Sequence, residues 1–267
     1  GADKPAYDDI IQTAAGYCDM QELLSDQPRY VPSLIADKTS SYAVFSAILA
    51  ALVCRERGGG GQAVEVPMFE TMVDYTMVEH LYGATFDPPI AQMGYERIMN
   101  IERRPYKTSD GRYLTVLPYT DKNWADFFRL AGREEFLDDP DFETHSNRLN
   151  NSKKVYATLN EIVATRTLND WVEKLDAANI PVMMVKTKED LLDDEQLNAT
   201  GFWHSVNHPT EGKLRLADPP FRYSKTPSTI REMPPLLGEQ SREILLEAGY
   251  SAAEIDDLFT KNVTRGS

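Results

Sequence analysis

Cysteine is nearly absent from this sequence. Cys18 and Cys54 stand alone, without the paired spacing of a disulfide framework or a thiolate zinc site. Both fall in apolar or helical surroundings, so reduced, buried thiols in a reducing, cytoplasmic compartment are expected. Long hydrophobic runs are also missing: the longest, Ala43 to Val53, is too short to cross a bilayer and is interrupted by Ser46. The opening stretch, GADKPAYDDIIQ, has neither the basic nor the apolar region of a signal peptide, and no membrane partner is expected. Cations are few, with a net charge of −14, which excludes a nucleic-acid backbone as main partner because counterion release needs clustered Lys and Arg. The four histidines, His80, His145, His204 and His208, lack metal-ligand spacing on a helix, so no metal is expected. No GxSxG elbow is present.

What remains is an ordinary globular composition, 42% hydrophobic and 26% charged, able to bury a core. Helical periodicity marks Tyr7–Cys18, a helix after Asp37 running to Arg57, and another from Met68 to Gly83. Within the second, Tyr42, Phe45, Ile48, Leu49, Leu52 and Val53 recur at i, i+3, i+4 spacing and alanines fill much of the other side. This predicts burial over most of its circumference. Glycines 58–61 follow a helix and lead into an alternating strand, Gln62–Val66. They read as a helix stop and not as a phosphate loop, which joins a strand to a helix start. Further on, a Ser-Asp-Gly turn opens a strand at Tyr113–Leu117. Helices are expected at Lys122–Ala131, Asn151–Ala164, Leu168–Ala178 and, short and acidic, Lys188–Asn198. A buried strand is expected at Val182–Val185, short strands between Gly201 and Met233, and helices at Gly238–Ala248 and Ala252–Thr260. Strands alternating with helices indicate an α/β chain, with the strands that should feed the first helices missing.

Asp37 is the residue on which function turns. An acidic residue at a helix start is an ordinary N-cap, accepting from the amides near Ser40. It is also how a carboxylate nucleophile is kept ionised and aimed, and a rigid apolar helix is a good platform for one. Both readings stay open on local physics. The cluster Arg97, Arg103, Arg104 and Lys107 is the main basic spot of an acidic chain; it reads as a solvated linker, with steering of an anion as the alternative.

The segment IADKTSSYAVFSAILAALVCRERGGGGQAVEVPM resembles the core signature of the family III CoA-transferases, the group of formyl-CoA transferase and carnitine CoA-transferase, related to the α-methylacyl-CoA racemases. PAYDDIIQTAAG, RRPYKTSDGRYLTV, NIPVMMV and PPLLGEQSREILLEAGYS are similar to further landmarks in family order. The resemblance implies a partial Rossmann-like large domain plus a smaller α+β domain. Residues 1–83 would be the remainder of the large domain, 84–112 a linker, 113–190 the small domain, and 191–267 a return linker and helices packing on the large domain. It implies coenzyme A as co-substrate, a small carboxylic acid as second reactant, and an interlocked homodimer. Asp37 falls at the catalytic position, Ala6, Tyr7 and Asp8 at CoA contacts or beside the reacting centre, and Met68 at a pocket-lining methionine. The implied reaction moves CoA from an acyl-CoA to a free acid through mixed anhydrides and an aspartyl-CoA thioester.

A racemase-like isomerase is the alternative. Tyr7 stands where racemases carry the histidine that serves as one of two acid/base groups, which favours the transferase. A truncated, non-catalytic fragment is the other. Between Gly94 and Asp110 there is no counterpart of the glycine-rich loop of formyl-CoA transferase, which argues against oxalate and formate. The family's long Rossmann-like opening segment, about a third of such a chain, also has no counterpart here.

Overall fold

In the computed structural model, which describes residues 5–266, the chain divides into two compact units, one ending at Val185 and one beginning at Lys186. Residues 1–4 of the opening stretch read above lie outside the described residues.

The first unit starts with four helices. The single helix expected over Tyr7–Cys18 is two, α1 (Asp8–Ala14) and α2 (Tyr17–Ser25), because Gly16 sits at φ +86°, a left-handed conformation that ends α1. α3 (Ile35–Cys54) begins two residues before Asp37. It closes in a π-type turn, Arg55–Gly59, which Gly58 leaves at φ +88°. α4 (Met68–His80) follows Pro67. The strand expected at Gln62–Val66 does not form: both sheets among the described residues lie elsewhere, so this segment has no ladder to join.

Ile11, Ala15, Tyr17, Ala36 and Met72 make a small core between these helices, with Met20, Val31, Ile35, Met68 and Val73 packed around it. The expected burial of α3 is corrected. Tyr42, Phe45, Ile48, Leu49, Leu52 and Val53 are 39–59% exposed, because no element among the described residues covers that apolar stripe.

The same unit continues into a second, denser core. Strands β1 (Tyr106–Lys107) and β2 (Tyr113–Val116) are joined by a tight turn in which Gly111 takes φ +80°. α5 (Asp121–Ala131) starts on a reciprocal Thr120–Asn123 capping box and stops at Gly132. Two short helices, α6 (Pro140–Glu143) and α7 (His145–Asn150), lead to the amphipathic pair α8 (Ser152–Val163) and α9 (Leu168–Ala177). β3 (Val182–Met184) completes an antiparallel sheet in the order β1-β2-β3, with Leu114 opposite Met184 and Val116 opposite Val182. Alternation along the strands sends Tyr106, Leu114 and Val116 into the core and Lys107, Tyr113 and Thr115 outward. β3 is less buried than expected, with Met183 on the open face of the sheet. Asp110 ties the turn to α9: its carboxylate accepts from Thr108 Oγ1 at 2.5 Å and from the Leu168 amide at 3.2 Å.

In the second unit the acidic helix expected at Lys188–Asn198 is broken into a 3₁₀ turn at Asp190–Leu192 and α10 (Glu195–Ala199), which Asp194 caps. The strands expected after Gly201 form one hairpin, β4 (Trp203–His208) and β5 (Gly212–Ala217), and the chain ends in α11 (Ser241–Glu247) and α12 (Ala252–Thr260). No helix among the described residues is long and apolar enough to cross a membrane.

Candidate active site

A helix start leaves its first amides without intrahelical partners. At α3 the preceding residue, Leu34, has no side chain able to satisfy them. Asp37 does not do so either: it lies inside the first turn, past the cap position, and its side chain has no hydrogen bond or ion pair among the described residues. The capping reading of Asp37 is therefore corrected.

The amides are satisfied from another helix. Asp8, on α1 and only 5% exposed, accepts from the Ala36 amide at 2.8 Å and from the Asp37 amide at 3.1 Å through one carboxylate oxygen. Its second oxygen accepts from Gln12 Nε2 at 2.6 Å. Asp8 and Gln12 are four residues apart, so α1 presents them on one face. Gln12 is fully buried and grips the approach to α3 from both ends of its amide: its oxygen accepts from the Val31 amide at 2.9 Å, and its nitrogen donates to the Ser33 carbonyl at 3.3 Å. Two side chains of α1 thus hold residues 31–37 in place. A buried amide and a buried carboxylate are tolerated because each meets several partners.

The outcome is a division of labour between two acids. Asp8 is spent on backbone amides; Asp37 is partly exposed, in the first turn of a 20-residue helix whose dipole favours negative charge there. One turn on, the buried Ser40 hydroxyl has no hydrogen-bond partner among the described residues. Met68 is partly buried against the small core that also holds Ala36 and Ile35. Ala6 and Tyr7 lie just before α1 and are exposed, Tyr7 by 72%. The structure thus brings Asp8 into direct contact with the Asp37 backbone and packs Met68 on the core beneath α3.

Gln12 is the residue that sequence reasoning missed. Its signal was present as the Asp-x-x-x-Gln spacing on one helical face, which by itself cannot say what that face meets. Three of the four histidines are engaged in other ways: His80 Nδ1 accepts from the Tyr95 amide at 3.3 Å, His204 meets Asp218 at 2.9 Å, and a His208 ring nitrogen lies 3.0 Å from the Pro234 carbonyl. Among the described residues no group of three or more His, Cys, Asp or Glu could hold a metal ion.

The chain is similar to the probable fatty acyl-CoA transferase Rv3272 of Mycobacterium tuberculosis, at 24% identity over 252 residues, covering 91% of this chain and 64% of the relative. Its identity to the succinyl-CoA:glutarate CoA-transferase of Mus musculus is also 24%, over 264 residues, covering 97% of this chain and 60% of that protein. The chain thus spans about three fifths of the length of these relatives. The crystal structure of Rv3272 in an orthorhombic form shares the fold, with a TM-score of 0.74 at 22% identity, over 90% of this chain and 63% of that one. Residues 1–241 match the description CoA-transferase family III, so the signature around Asp37 and the landmarks that follow it have one source: this chain belongs to CoA-transferase family III.

Proposed function

We propose that the protein carrying this chain transfers coenzyme A from an acyl-CoA thioester to a free carboxylic acid, with Asp37 as the nucleophile. The observation that carries this reading is the unspent carboxylate of Asp37 beside the fully spent carboxylate of Asp8. A capping aspartate cannot attack without releasing its amides; Asp37 attacks without loss to the helix, because Asp8 holds the cap.

In the proposed sequence Asp37 attacks the acyl carbon, the C–S bond breaks, and CoA leaves as a thiolate from a mixed anhydride. The thiolate attacks the aspartyl carbonyl of that anhydride, giving an aspartyl-CoA thioester and the first free acid. The second acid's carboxylate displaces the thiolate, and the thiolate then takes the new acyl group, regenerating Asp37. Every step exchanges groups of similar acyl-transfer potential, so positioning and an ionised carboxylate are what the protein must supply. The exposed backbone at Ala6 and Tyr7 and the side chain of Met68 are assigned to the CoA side of this site, and Asp8 to holding the turn that carries Asp37.

The exposed stripe of α3 and the unpaired segment 62–66 support a reading in which 1–83 is part of a Rossmann-like large domain, completed by further chain or by the second subunit of an interlocked homodimer. The assignment of Asp37 is tested in the complete natural protein by incubation with acyl-CoA, trapping with hydroxylamine and peptide mass spectrometry. A hydroxamate on Asp37 is expected. Asp37→Asn should lose the adduct, and Asp37→Ala should change folding stability by less than about 0.5 kcal/mol, whereas replacing a capping aspartate by alanine costs about 1 kcal/mol. A hydroxamate on another residue, or turnover that survives Asp37→Asn, would overturn the assignment.

A further inference from the structure

The basic cluster that reads as a solvated linker in the sequence is divided by the fold. Lys107 follows the buried Tyr106 on β1 and therefore faces outward, away from the core. Arg97, Arg103 and Arg104 line a cavity of about 330 Å³ in the first unit. Its apolar wall is supplied by Val116, Trp124, Val155 and Leu159 from β2, α5 and α8.

The guanidinium groups around this cavity are unequally compensated. Arg104 pairs with Glu102 at 3.3 Å, and Arg148 pairs with Asp121 and donates to the Phe142 carbonyl at 2.6 Å. Arg97 instead donates its Nε to the Tyr156 hydroxyl at 3.2 Å. Arg103 has no ion pair among the described residues. Two guanidinium groups without a carboxylate therefore border one apolar cavity in a chain with a net charge of −14. The Tyr106 phenol there stays neutral: burial pushes its hydroxyl well above the ordinary range. A fork of N–H donors matches a carboxylate in plane and charge, and aromatic and branched walls match an apolar body.

We propose that this cavity binds an organic carboxylate with an aromatic or branched apolar body, its carboxylate held by Arg97 and Arg103. The proposal does not depend on Asp37 as nucleophile, and it is tested without turnover. Titration of 4-phenylbutyrate into the 267-residue chain, followed by calorimetry, should show one saturable site. Arg97→Gln and Arg103→Gln should each weaken it about tenfold or more. Lys107→Gln should leave it unchanged, and the neutral 4-phenylbutyramide should bind about tenfold more weakly or less well still. Arg103 is exposed, so its variant tests the charge without disturbing the core. The proposal is overturned by an absence of saturable binding at millimolar concentration. Equal affinity for acid and amide, or arginine variants that bind like the unaltered chain, would also overturn it. So would tighter binding of adenosine 3′,5′-bisphosphate in the same cavity, which would make it a nucleotide phosphate site.

Discussion

The α1–α4 region and the region from β1 to β3 fold in one unit but hold together by opposite means. Around the sheet, Phe127, Phe128 and Trp171 are essentially inaccessible; Phe127 stacks on Trp171 at 5.8 Å, and the indole N–H donates to the Val163 carbonyl at 2.9 Å. Apolar burial dominates there, and polar groups serve the turns and caps. In the α1–α4 region only five apolar residues form the buried core, and the most specific contacts are polar: Asp8 and Gln12 against the backbone of 31–37. Its most apolar surface, on α3, faces outward. Rigidity at Asp37 therefore comes from directed hydrogen bonds and less from packing, which fixes one turn accurately while leaving a carboxylate open to a reactant.

That contrast can be broken by mutation. The largest effect is expected from Phe127→Ala, which opens a cavity in the aromatic core and should cost about 3–5 kcal/mol in urea unfolding. A loss below about 1 kcal/mol would mean that the sheet region is as loosely packed as the first helices. Asp8→Ala should come next, at about 2 kcal/mol, because it leaves two amides of α3 without their acceptor and removes one of the partners of Gln12. Its signature is local: hydrogen exchange should accelerate at the Ala36 and Asp37 amides, and hydroxylamine trapping on Asp37 should fall although Asp37 is intact. Exchange protection that survives at those amides would show that packing alone holds the turn. The smallest effect is expected from Ile48→Ser on the open stripe of α3. Serine and isoleucine have similar helix propensity and the side chain is half exposed, so the loss should stay below about 1 kcal/mol. Sedimentation should at the same time show less self-association. A large destabilisation there would mean that the stripe is covered in solution.

Elements governed by neighbouring residues were legible in the sequence. α5, α8 and α9 lie within a residue or two of their expected bounds, because capping residues and 3.6-residue periodicity are local physics. The same periodicity identified the apolar stripe of α3 correctly and mistook what it meets, since a spacing says which side chains share a face and not whether anything covers them. The segment 62–66 has strand-forming residues, but a strand exists only when a second one lies beside it. At the candidate site, sequence marked both Asp37 and Asp8 without revealing that one relieves the other.

By itself, then, the sequence determined helices such as α5, α8 and α9, the strand β2, the family signature and the position of Asp37 at a helix start. These depend on interactions over a few residues and on motif order. Only the tertiary structure decided that Asp8 and Gln12 cap α3 and clamp its approach across separations of 19 to 29 residues, and that three arginines of one basic run meet an apolar cavity while Lys107 turns away. Such pairings are chosen by how whole elements pack. The free energy that selects them is shared among many distant contacts, and no single stretch of chain records it.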